Sequence, residues 1–387
     1  MAQGRLKKAH RAAGRPAQRG AASAKATGAR ATRAKAKPAK ARRALAARSR
    51  GAPGRAAAAS FRPSGPEVPR YQDLKRPDET GLPLAWGLWA PGDQLGTLNN
   101  ITPEGVTAAA AEIQRGVRFN LDLPLHVPYG LCKPGAHATR RDPVPTLYVR
   151  ERPPHLWVRD DKLDDFYLQG SSQWDGLTHM GDNKHGFYNG VQPDHVTHGE
   201  ATRNGIERLA EFGIATRCVL VDVVRDFAAQ GKPWDPMAQQ VVSAQHLEES
   251  LKRHKVALRR GDVLLVRMGW IAAFRAAPDV EARDALLRVW RFSGLSGGED
   301  MWEFLWDHRV AAVATDTMAV EVWPMRPGQP ALHWAIARLG LTIGEIFDLD
   351  ALAEDSARDG RYTAFFTSSP LNFRGGVGSP PNAIAIK

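Results

Sequence analysis

Residues 1–60 limit most sharply what this chain can fold into. They carry 17 Lys and Arg, no Asp or Glu, and only two Leu, Leu6 and Leu45. A segment so poor in large apolar side chains cannot offset the entropy of ordering its backbone. It reads as a disordered basic arm, and the folded domain is expected over 61–387. Acid-free Ala/Arg/Lys text also occurs in nucleic-acid-binding tails and in transit peptides, and it lacks the apolar stretch of a secretory signal. Of the chain's 53 Lys and Arg, the arm's 17 leave 36 against 41 Asp and Glu. The body is therefore net acidic although the formal charge is +12, and only the arm suits nucleic acid.

No run approaches the ~18 apolar residues of a membrane span, so no membrane association is expected. The two cysteines, Cys132 and Cys218, show no CxxC spacing. That argues against a structural zinc site or a disulfide framework and fits a reducing, cytoplasmic setting. Cys218 lies in the run Cys-Val-Leu-Val and is expected to be a buried small residue.

Beyond residue 61 the text alternates between strand and helix patterns. A strand is expected within 116–130, then a polar, Pro-rich stretch to 165. Strands are expected at Arg217–Val224, Asp262–Arg267, Val310–Ala314, Leu341–Phe347 and Tyr362–Phe366. Helices are expected at Gly205–Phe212, Ser243–His254 with Ser243 as N-cap, Met301–Asp307, His333–Leu339 with Gly340 as C-cap, and Leu349–Glu354. The pattern predicts one α/β domain.

Chemistry concentrates at Gln173-Trp174-Asp175-Gly176-Leu177-Thr178-His179-Met180-Gly181-Asp182-Asn183-Lys184-His185. Two carboxylates and two imidazoles within eleven residues are the donors that hard and borderline divalent ions prefer. The same text would also serve as a polar surface loop. A second pair, His333 and Glu345, follows. Glu345 stands in Leu-Thr-Ile-Gly-Glu-Ile-Phe, where a buried carboxylate is costly unless it is paired or bound to metal. Trp174, Phe187 and Tyr188 could stack on an aromatic substrate, or simply pack in the core. Asp316, ending Val-Ala-Thr-Asp, is expected to play a structural hydrogen-bonding role.

These residues resemble the metal-dependent cyclase family that includes kynurenine formamidase and isatin hydrolase. Its signature is His-x-Gly-Thr-His-x-Asp-x-Pro-x-His, with a later His and Glu twelve apart. Thr178, His179 and His185 match the signature, and His333 and Glu345 match the later pair. Asp175 stands for the first His, Leu177 for the Gly, and Asn183 for the Pro. Gly181 stands for the Asp, with Asp182 one step along. Gly92-Asp93-Gln94-Leu95-Gly96-Thr97-Leu98-Asn99, Val219-Leu220-Val221-Asp222-Val223 and Gly375-Gly376-Val377-Gly378-Ser379-Pro380 are similar to further family stretches. The likeness runs from about 85 to 387 and is greatest to a longer bacterial branch carrying Gln-Trp-Asp-x-Leu-x-His.

The resemblance implies a mixed β-sheet flanked by helices, with a metal site at the sheet edge. It implies a hydrolase of small amides, similar to an arylformamidase, that works through a water activated by one or two Mn or Zn ions. Lactam and ester hydrolysis, or a cyclase or dehydratase reaction, remain open on the same site. By carry-over, Asp175, His179, Asp182, His333 and Glu345 are the candidate ligands, and His185 is the candidate proton shuttle. Replacing His by Asp hardens the site toward manganese. A small-molecule substrate and a homo-oligomer are implied as well.

Overall fold

The computed structural model describes residues 67–131, 140–152, 155–325 and 328–387. The basic arm expected over 1–60, and the start of the domain at 61, lie outside these residues.

Among the described residues, nine strands form the main sheet. In chain order they are β1 (Arg118–Asn120), β2 (Gln173–Asp175), β3 (Ile214–Asp222), β4 (Val263–Arg267), β5 (Ala312–Thr315), β6 (Thr342–Glu345), β7 (Thr363–Ser368), β8 (Gly378–Ser379) and β9 (Ala383–Ile386). Their spatial order is β1-β9-β7-β3-β4-β5-β6-β2-β8. The central four, β3 to β6, run parallel. The flanking strands pair antiparallel.

The apolar runs of the parallel strands follow from burial on both faces. Along β3, Val219 and Val221 join one core cluster while Cys218 and Leu220 join the other. The first cluster packs the sheet against the helices Ala244–Arg253, Glu299–Asp307 and Trp334–Leu339. The second includes Phe347 and residues of the helix Asp350–Asp359. The arrangement is the expected mixed sheet flanked by helices, and Cys218 is buried as expected.

Local signals explain the helix ends. The Ser243 hydroxyl accepts from the His246 amide, and His246 Nδ1 accepts from the Ser243 amide at 3.1 Å, a reciprocal cap. Gly340 closes the helix Trp334–Leu339 at φ 69°, where a side chain would be strained.

Two expectations need correction. The strand predicted within 116–130 is only Arg118–Asn120, because pairing with β9 ends there and Pro124 cannot donate to a ladder. The polar stretch before 165 contains a two-stranded hairpin, Val144–Arg152 paired with Leu156–Asp164. In the sequence, prolines 145, 153 and 154 mask its alternating apolar residues.

Candidate metal centre

β2 lies second from one sheet edge, antiparallel to β6, with Gln173 opposite Glu345 and Asp175 opposite Ile343. Strand alternation puts Gln173, Asp175 and Glu345 on one face and Trp174 on the other. Gly344 allows this approach, since a Cβ there would stand 2.7 Å from Ala314, Phe347 and Trp174. The Gln173 amide donates to Glu345 Oε2 at 2.7 Å and to Asp175 Oδ1 at 3.2 Å.

The imidazoles arrive from two loops. After β2 the chain turns back, with the His179 amide donating to the Gly176 carbonyl at 2.9 Å. His179 Nδ1 lies 2.8 Å from Gln169 Nε2, which also donates to Asp175 Oδ1 at 2.6 Å. His333 enters just before its helix. Its Nε2 is 3.1 Å from Glu345 Oε1 and 3.5 Å from Asp175 Oδ2, and its Nδ1 is 2.7 Å from Glu321 Oε2. One donor atom each from Asp175, His179 and His333 falls within 4.8 Å of the others.

This cluster suits a divalent cation. Asp175 is fully buried, and its Oδ2 has no hydrogen-bond partner among the described residues. Three buried carboxylates, Asp175, Glu321 and Glu345, surround His333. A carboxylate oxygen left unsatisfied beside imidazole nitrogens is the donor set of such a site. Glu321 on the far nitrogen of His333 is the carboxylate–histidine partner that orients a ligand ring.

Charge balance in the metal-free cluster shows the same demand. Burial and the Asp175 charge raise the Glu345 pKa, against His333. Burial opposes charge on His333, but Glu321, Asp175 and Glu345 outweigh it and hold its pKa well above the ordinary value. Burial acts against ionised Asp175 too, yet His179 and His333 keep it below the usual carboxylate range. The cluster draws in a proton where it lacks a cation.

A cavity of about 230 Å³ opens over the cluster. His179, His333, Glu345 and Glu321 line its polar side, with Arg140 beside them. Trp290, Trp323, Trp334, Met180, Met318 and Met325 line the rest.

Asp182 and His185 stand in a different network. Arg338 Nη2 is 2.7 Å from Asp182 and 2.8 Å from Asp78, and His185 Nε2 is 2.6 Å from Asp78 Oδ2. The Asp182 carboxylate also accepts from the amides of Lys184 and His185. Asp182 is expected as a metal ligand and His185 as the proton shuttle, but Asp182 is held by Arg338 and His185 by Asp78. Trp174 is likewise corrected. It points to the opposite face, donates to Ser368 Oγ at 2.8 Å and packs against Phe347 and Phe366. Tyr188 is buried with its hydroxyl on Asp93, and Phe187 is half-buried beside Gly181, so neither lines the cavity. Asp316 accepts from the Met268 and Gly269 amides at 2.5 and 2.8 Å, the structural role expected.

Sequence reasoning missed Gln169, Gln173, Glu321 and Arg140. Gln173 was legible as the same-face neighbour of Asp175. Glu321 carried the signal that marked Glu345, a carboxylate between apolar residues, in Val320-Glu321-Val322. Gln169 and Arg140 had no local signal.

The family model described as "Putative cyclase" matches residues 124–322. A solved structure described as a novel cyclase is 33% identical, covers 79% of this chain and 99% of its own, and superposes with a TM-score of 0.67. An isatin hydrolase bound to the product analogue thioisatinate is 14% identical over 74% of this chain and 98% of its own, at a TM-score of 0.42. A structure described as a potential metal-dependent hydrolase with cyclase activity is 14% identical over 70% of this chain and 98% of its own, at 0.39. Likeness at those two levels extends to neither substrate nor chemistry. Among curated proteins, none matches. No helix among the described residues is long and apolar enough to cross a membrane. With a family model spanning half of its length and a one-third-identical structure covered almost end to end, this chain belongs to the cyclase family.

Proposed function

We propose that the protein is a metal-dependent hydrolase of a small amide, with Asp175, His179 and His333 as ligands and Glu345 completing the set. The observation that carries this reading is the buried Asp175 oxygen, without a hydrogen bond among the described residues, beside two imidazoles that line a cavity. A divalent ion held there would supply a Lewis acid for a carbonyl and an activated water. Asp182 and His185 are left out of the proposed machinery because Arg338 and Asp78 already engage them.

The chain's own residues set up that chemistry. Glu321 fixes the His333 ring and Gln169 braces His179, while Gln173 ties Asp175 to Glu345. The Trp and Met walls exclude water and favour a flat, apolar substrate. Arg140 offers a cation to an anionic substituent. An aryl formamide such as N-formylkynurenine is the first substrate to test.

Metal content should be near stoichiometric in the parent and lost in a folded His333→Ala/Glu345→Ala variant. A parent that holds neither zinc nor manganese after reconstitution overturns the reading. The family's description favours a cyclase as second reading. Turnover in ¹⁸O-labelled water separates the two, because only hydrolysis places solvent oxygen in the product.

A further inference from the structure

A second cavity, of about 330 Å³, shares a wall with the first. Trp334 lines both. Along the loop after β2, His179 and Met180 line the first cavity, and the residues from Gly181 to Lys184 line the second. His333 likewise lines the first, whereas Ala337 and Arg338, on the helix that follows it, line the second. The two segments that bring imidazoles to the candidate metal centre thus present their next residues to a separate space of a size that takes a small molecule.

The lining says which molecule. Trp334, 42% exposed, offers an indole on which a second aromatic ring can stack. The buried charges ask for no ion, because the Arg338 guanidinium already holds Asp182, Asp78 and the Leu82 carbonyl. At the solvent edge stands one charge of each sign, with Lys184 Nζ 2.5 Å from Glu79 Oε2 and both side chains exposed. An exposed pair of this kind contributes little to stability, so a ligand can engage either partner at small cost. Three ammonium hydrogens and two carboxylate oxygens leave both groups with bonding capacity beyond their mutual contact. Glu79 and Asp182 together balance Lys184 and Arg338, and a zwitterion preserves that balance where a single charge would upset it.

We propose that the second cavity binds an aromatic α-amino acid, with its ring on Trp334, its carboxylate on Lys184 and its ammonium on Glu79. The site stands on these residues and needs no metal. Its occupant touches the indole that also lines the metal cavity, so the two sites are coupled; that coupling rests on the proposed metal centre. Coupling is reciprocal, and metal must alter amino-acid affinity by the factor by which the amino acid alters metal affinity.

Calorimetric titration of L-phenylalanine into the full chain, metal-free and metal-loaded, tests this. Both forms should bind one equivalent. Phenethylamine, which lacks the carboxylate, and 3-phenylpropionate, which lacks the ammonium, should each bind about tenfold more weakly, the loss of one charge-assisted contact. Lys184→Met should weaken L-phenylalanine about tenfold and leave phenethylamine unchanged. Glu79→Gln should weaken L-phenylalanine and leave 3-phenylpropionate unchanged. Both side chains are exposed, so melting temperatures should barely move, which separates a lost contact from a lost fold. No binding to the metal-free parent, or binding equal in the parent and both variants, overturns the proposal. Binding by the metal-loaded form alone puts the amino acid in the metal cavity and overturns it equally. Zinc or manganese affinity should differ with and without saturating L-phenylalanine, and equal affinities overturn the coupling. The binding readout needs neither metal nor turnover, so it holds or fails independently of the hydrolase reading.

Discussion

Two clusters of carboxylate and imidazole lie side by side in this protein, and both draw on residues 173–185 and the region around the helix Trp334–Leu339. In one, Asp175, Glu321 and Glu345 surround His333, with His179 alongside and, among the described residues, no lysine or arginine ion-paired to them. In the other, Asp78 and Asp182 share the buried guanidinium of Arg338, and His185 sits on Asp78. The first leaves an oxygen unsatisfied and pulls in a proton, whereas the second supplies its own cation. Acidic residues near histidines are therefore not enough to mark a metal centre. What separates the clusters is whether the fold has already neutralised the charge.

The largest effect expected from breaking this contrast is in the arginine network. Arg338→Met strands two carboxylates and should cost about 3–5 kcal/mol in denaturant unfolding. Metal affinity should be retained wherever the variant remains folded. At the other cluster, Asp175→Asn removes a proposed ligand. It should weaken zinc or manganese binding by more than the ~10–100-fold expected from losing a ligand's partner, whereas Asp182→Asn should leave calorimetric affinity unchanged. Equal losses in the two variants would erase the distinction. Glu321→Gln keeps the shape but removes the charge behind His333, and metal affinity should fall about 10–100-fold.

The smallest effect is in pH response, where the two regions should differ in sign. The Thr80 hydroxyl, with Arg338 and His185, outweighs burial and holds the Asp78 pKa well below the usual carboxylate range. Its stabilisation is present above the ordinary pKa and is lost as pH falls through the depressed one. Burial and Asp175 raise Glu345 to about 7 in the metal-free protein. Its contribution is complete at low pH and is lost as pH rises through about 7. Thermal melts of the metal-free protein should show that loss, and Glu345→Gln should remove it. Saturating metal should remove it as well, because binding competes with the proton.

Much of the scaffold was legible from local pattern. The β-branched runs of β3 and β4 announced strands buried on both faces, Ser243 and Gly340 marked helix ends, and Glu345 was conspicuous as a carboxylate in an apolar strand. The hairpin at 144–164 was hidden because alternation is a weak signal beside prolines, and because its apolar side chains face outward.

Residue order alone established an acid-free stretch over 1–60 and an α/β pattern beyond it, and with the family resemblance it marked His179, His333 and Glu345 as members of the candidate site. Tertiary structure decided which carboxylates share that site. Asp182 lies only three residues from His179, yet Arg338, 156 positions further along the chain than Asp182, claims it. Glu321 and Gln169, never grouped with the site by spacing, meet it in space. Coulomb energy depends on distance and burial in the folded chain, and neither is written in the spacing of the letters.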